Sequence, residues 1–137
     1  MAVRMLIVED HDLVRRSLVD WLGALFPQLE ILEASDGEQA VDLASSHGPA
    51  LVLMDIGLPG LDGLEATRRI KRLLPDTRVV MLTIHEDDAY RADALASGAS
   101  AYISKRTMQA QLLDTLSGLL PRCEAGRNLP LSSSGAS

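Results

Sequence analysis

Five short apolar runs, each followed by a longer stretch with helical spacing, most narrowly limit how this chain can fold. The runs fall at residues 5–8, 30–34, 50–54, 78–82 and 101–103. They are of strand length, and the run at 50–54 is wholly apolar. Between them, apolar residues recur in steps of three and four, as a helix requires. Val14, Leu18, Trp21, Leu22 and Leu25 form one such stripe, and Val41 and Ala44 a second. Ala66, Ile70, Leu73 and Leu74 form a third, Ala92, Leu95 and Ala96 a fourth, and Leu112, Leu113, Leu116 and Leu119 a fifth. Breakers punctuate the pattern: Pro27, His47-Gly48-Pro49, Pro75-Asp76, Gly98 and Pro121. Asp36-Gly37-Glu38 opens the second helix, and Asp62 is placed to cap the third. Apolar strands alternating with amphipathic helices imply an α/β fold, βα repeated five times, with a parallel sheet covered on both faces.

The chain's 137 residues fit one domain, expected over residues 1–120. The periodicity stops at Pro121. Gly126, Pro130 and Ser132-Ser133-Ser134-Gly135 then mark residues 121–137 as a linker or disordered tail. Hydrophobic residues make up 47% of the chain but aromatics only 3%, so the core must be aliphatic. The net charge of −6, from 13 basic against 19 acidic residues, repels nucleic acid on average and argues against a DNA-binding domain. A single cysteine, Cys123, allows no internal disulfide. No apolar stretch approaches the ~20 residues of a membrane span. A cytoplasmic protein without membrane association is expected.

Polar residues stand where the apolar runs end. Glu9 and Asp10 follow the first, Asp55 the third and Thr83 the fourth, and Lys105 lies just past the fifth. In an open parallel sheet the carboxyl ends of the strands line the ligand crevice, so these distant residues should converge. Three carboxylates close together repel one another, and a divalent cation offsets the repulsion. Oxygen donors of this kind suit Mg²⁺. An ionised Asp55 is then placed to attack phosphorus, with Lys105 and Thr83 contacting phosphoryl oxygens.

The ordered set of segments resembles the response-regulator receiver domains of two-component signalling. The matching pieces are Leu6-Ile7-Val8-Glu9-Asp10-His11, Leu53-Met54-Asp55-Ile56-Gly57-Leu58-Pro59-Gly60-Leu61-Asp62-Gly63, Val80-Met81-Leu82-Thr83 and Gly98-Ala99-Ser100-Ala101-Tyr102-Ile103-Ser104-Lys105. The likeness extends over roughly residues 3–120. It implies a flavodoxin-like (βα)5 doubly wound sandwich with strand order 2-1-3-4-5. It further implies that Asp55 is the phosphoacceptor and that Asp10, Asp55 and the Gly57 backbone carbonyl ligate Mg²⁺, with Glu9 acting through a water. Thr83 would be the switch hydroxyl, Tyr102 the switch aromatic and Lys105 the phosphoryl-contacting lysine. The phosphoryl donor would be a histidine kinase, and phosphorylation would drive homodimerisation. The chemistry would be limited to self-phosphorylation and autodephosphorylation.

Asp62-Gly63-Leu64-Glu65-Ala66-Thr67-Arg68-Arg69 and Glu33-Ala34-Ser35-Asp36-Gly37-Glu38 are similar to receivers of the NarL/FixJ type. These usually precede a LuxR-type helix-turn-helix, so transcriptional control and DNA binding would belong to a domain missing here. The tail reads as an interdomain linker cut short, in preference to the end of a stand-alone regulator. Arg106 follows Lys105 where many receivers have proline. Ile84 stands after Thr83 where a small residue is frequent, and His85 is placed to influence water attack on an acyl phosphate.

Blander readings stand beside these. A strand-end acid is often a cap, Thr83 alone a β-former, Lys105 alone a solvated cation, and Tyr102 a packed residue. His11 reads as a helix start, His47 as a helix-end cation, and the Arg68–Arg69–Ile70–Lys71–Arg72 run as a solvated helix face. An Asp-nucleophile phosphohydrolase would need an acid two residues past the nucleophile, where Gly57 stands. A nucleotide binder would need a phosphate-cradling first loop, which here is acidic. A pseudo-receiver that only docks partners is the remaining alternative.

Overall fold

The computed structural model describes residues 3–58, 60–83, 88–105 and 108–119. Strand and helix alternate throughout: β1 (Val3–Val8), α1 (Asp12–Leu25), β2 (Leu29–Ala34), α2 (Gly37–His47), β3 (Leu51–Asp55), α3 (Gly63–Leu73), β4 (Arg78–Thr83), α4 (Asp88–Ala96), β5 (Ala101–Ser104) and α5 (Met108–Leu119). All four strand pairings are parallel, and the sheet order is β2-β1-β3-β4-β5. The expected doubly wound (βα)5 sandwich is the observed one.

Alternation along the strands builds two aliphatic cores. Met5, Ile7, Leu51, Leu53, Val80, Leu82 and Ile103 pack with Leu18 and Leu22 of α1 and Leu112 and Leu116 of α5. Leu6, Val8, Val52, Met54, Val79 and Met81 pack on the other face with Ala40 and Ala44 of α2, Ala66 and Ile70 of α3 and Ala94 of α4. Both predicted caps form: Asp36 Oδ1 accepts from Gln39 N at 2.8 Å and Asp62 Oδ1 from Glu65 N at 2.9 Å.

The helix faces need correction in places. In α4 the expected inner residues Ala92, Leu95 and Ala96 are exposed, and Ala94 is buried instead. The hydrogen bonds Ala99 N to Ala94 O (3.1 Å) and Ser97 Oγ to Ala94 O (2.7 Å) close the helix around that residue. Gly98 follows at φ 109°, a conformation that favours glycine. Leu73 and Leu113 also point outward, as do Val14 and Leu25 at the ends of the first stripe. Each sits at the margin of a stripe whose centre is satisfied by Ile70, Leu112 and Leu116, or Leu18 and Leu22.

Register aligns the strand ends. Val8 pairs with Met54, Asp55 with Leu82, and Thr83 with Ser104. Residues 9, 55, 83 and 105 therefore reach one edge of the sheet. At that edge α3 begins hard against β3. A Cβ on Gly63 would strike the Asp55 carbonyl oxygen and come within 2.9 Å of Ile56 Cα, so only glycine permits this approach.

Candidate functional site

Each strand end delivers one part of the predicted cluster. Glu9 is 1% exposed, Asp55 6% and Thr83 fully buried, an unusual depth for acids unless they are partnered. Lys105 supplies the partner. Its Nζ donates to Glu9 Oε1 at 2.8 Å and lies 3.6 Å from Asp55 Oδ1. The lysine expected to meet a phosphoryl group thus bridges two carboxylates here and leans toward Glu9. The Gly57 N–H donates to Asp55 Oδ1 at 3.1 Å, which orients that carboxylate. Tyr102, on β5, is 8% exposed, and the Arg91 guanidinium stands 5.2 Å from its ring centroid.

Burial and neighbouring charge push these groups in different directions. Asp55 is raised, chiefly by burial and also by the charge of Glu9, against the opposing Gly57 hydrogen bond. Burial would raise Glu9 too, but the hydrogen bonds from Lys105 and His11 outweigh it and the carboxyl is lowered. Burial would depress Lys105, yet its bonds to Glu9 and the charge of Asp55 carry it upward. His11 is raised by its bond to Glu9 and by the nearby Asp10 charge. One ammonium thus serves two buried carboxylates, with the Asp10 carboxylate beside them.

The donor set fits a hard divalent cation. Asp10 Oδ1 is buried and accepts no hydrogen bond; His11 Nδ1 lies 3.4 Å away. Potential ligand atoms of Glu9, Asp10 and His11 lie within 4.8 Å of one another. An unsatisfied, buried carboxylate oxygen is costly unless something binds it.

Sequence reasoning missed two contributors. Arg15, on α1, reaches the Glu9 backbone carbonyl at 2.8 Å. Arg91 covers Tyr102. An arginine on an amphipathic helix carries no signal of its own that separates it from a solvated one. Ile84 and His85, expected to tune the site, lie outside the described residues, as do Arg106 and the tail at 121–137.

The family model described as the response regulator receiver domain matches residues 5–117. LiaR, a transcriptional regulatory protein of Bacillus subtilis, is 37% identical over 115 residues, which are 83% of this chain and 54% of LiaR. A LuxR-family two-component response regulator from Aurantimonas sp. SI85-9A1 superposes with a TM-score of 0.79 at 31% identity, covering 86% of this chain and 84% of that one. The signal receiver domain of NarL from Mycobacterium tuberculosis gives 0.77 at 30% identity, covering 92% and 98%. The chain belongs to the response-regulator receiver family, a signalling family rather than an enzyme family. Within it, the chain falls in the NarL/FixJ-like branch. It spans about half the length of the curated relatives it matches. Among the described residues no helix is long and apolar enough to cross a membrane.

Proposed function

We propose that this receiver accepts a phosphoryl group on Asp55 from a phosphohistidine of a partner kinase. The observation that carries the reading is the buried Asp55 carboxylate, fixed by Gly57 N–H and facing Lys105 at the shared strand edge. In the transfer, an Asp55 carboxylate oxygen attacks phosphorus, the new O–P bond forms, and the P–N bond to the donor imidazole breaks, its electron pair leaving with the ring. Lys105 releases one of its two carboxylates to pair with a phosphoryl oxygen, and Thr83 donates a hydrogen bond to another. Asp10, Asp55 and the Gly57 carbonyl would hold Mg²⁺, with Glu9 acting through water. The ion supplies neutralisation of the crowded carboxylates and of charge on the transferring group. Its presence would also counter the burial that raises Asp55.

Phosphorylation adds charge and acceptor oxygens beside Thr83, which biases a two-state surface that includes Tyr102. In our reading residues 1–120 form this switch and residues 121–137 lead toward an output domain, as the double-length transcriptional relatives have room for. The switch then acts through homodimerisation or through that domain's hold on DNA, in the cytoplasm. Acetyl phosphate with Mg²⁺ should add one phosphate to the intact mass of the wild type and none to D55N; equal labelling of both would remove Asp55 from this role.

A further inference from the structure

The Glu9 backbone is held at both its N–H and its carbonyl, and the carbonyl is the part that belongs to the Glu9–Asp10 peptide. The Glu9 N–H donates to Ala34 O at 3.1 Å, and the Glu9 carbonyl accepts from Arg15 Nη1 at 2.8 Å. The same guanidinium donates through Nη2 to Asp12 Oδ1 at 2.8 Å and through Nε to Glu33 Oε1 at 3.0 Å. Arg15 is only 14% exposed, and its bond to the Glu9 carbonyl is part-buried, while its carboxylate partners Asp12 and Glu33 lie toward solvent. It joins the loop after β1, the first turn of α1 and the end of β2.

That carbonyl belongs to the peptide unit that sets the direction of Asp10. A planar peptide fixed at its oxygen fixes the position from which the next residue's Cα and side chain start. Asp10 Oδ1 is buried there with no hydrogen bond. His11 Nδ1 stands 3.4 Å from it, beyond a good hydrogen bond, and a carboxylate oxygen so placed would normally rotate toward water or a donor. His11 braces the loop at the Glu9 carboxylate, through its N–H at 3.2 Å and its ring at 3.1 Å, and Arg15 braces it at the Glu9 backbone carbonyl. We infer that Arg15 is a positioning residue that pre-organises Asp10 for a divalent cation through the Glu9 carbonyl, without contacting the cation itself. This rests on the proposed metal-binding role of the site and adds a residue outside the ligand set.

Two other roles predict different signs. As a plain structural brace, Arg15 would affect stability and leave cation affinity unchanged. As a distant positive charge it would oppose cation binding, and its loss, which leaves Asp12 and Glu33 uncompensated, would tighten it. Supporting groups around metal ligands typically matter ten- to a hundredfold in affinity, in the weakening direction.

The test is Mg²⁺ titration by calorimetry of the wild type, Arg15→Met and Arg15→Lys, with amide NMR spectra of the metal-free proteins. Arg15→Lys keeps the charge and helix while losing the planar fork, so it reports even if Arg15→Met folds poorly. Both variants should bind Mg²⁺ about tenfold more weakly. The metal-free Asp10 amide should shift while core amides such as Leu53 stay in place. Affinity within twofold of wild type, or tighter binding, overturns the inference. A wild type that binds no Mg²⁺ defeats the underlying metal reading instead, and the two failures are thereby distinguished.

Discussion

The Asp55 carboxyl is held in a position that disfavours its own charge, since burial and the charge of Glu9 both raise it. Folded, it takes up a proton at higher pH than in the unfolded chain, so the native state holds more protons between the ordinary carboxylate value and the raised one. Metal-free stability therefore falls as pH rises through that window and stays reduced at neutral pH. D55N lacks this penalty. Its stability at neutral pH should exceed wild type, and the gap should close as acid protonates Asp55. Urea melts of both proteins without metal, at neutral and acid pH, would check this; a gap that persists or widens in acid would refute it. The position of Asp55 was legible in the sequence because a strand-end acid cannot be confused with its apolar run. The bias of Lys105 toward Glu9 was not legible, because it depends on which of two nearby carboxylates an ammonium reaches first.

At the scale of elements, two glycines make opposite demands. Gly63 lets α3 start against the backbone of β3, and a Cβ there would meet the Asp55 carbonyl and Ile56 Cα rather than a side chain that can yield. Gly63→Ala should cost about 1–3 kcal/mol and displace the loop after Asp55, and under the proposed function it should lower acetyl phosphate labelling with it. Gly23, within α1, has only Ile31 Cδ1 at 3.9 Å near its would-be Cβ. Gly23→Ala should stabilise by roughly 0.5–1 kcal/mol through helix propensity, with labelling unchanged. Thermal melts paired with labelling separate the two cases. Helix limits and both caps could be read ahead because Asp36, Asp62 and the prolines act locally. The inward face of α4 could not. Its buried position is the small Ala94 while the larger Leu95 faces outward, so apolar spacing pointed to the wrong face, and the helix closes on Ala94 through Ser97 and Ala99.

The whole molecule is stabilised from two sides of one sheet, and its site lies at the edge where both cores end. An ion bound there favours the folded chain by mass action. At a Mg²⁺ concentration about a hundredfold above its dissociation constant, stability should rise by about 2.7 kcal/mol, and chelation should reverse the gain. A melting temperature unmoved by Mg²⁺ would count against the metal reading. Strand order and layering were evident early because alternation of β and α admits few parallel arrangements. The pairing of Glu9 with Lys105, 96 residues apart, needed the folded sheet. That separation has a consequence during synthesis. A nascent chain carries its acids from the first strand onward but gains the balancing ammonium only when translation has passed Lys105. Until then no partial product owns a complete site, so under the proposed function a half-made chain would lack the ammonium that faces Asp55, and the chemistry would wait until synthesis has passed the last strand.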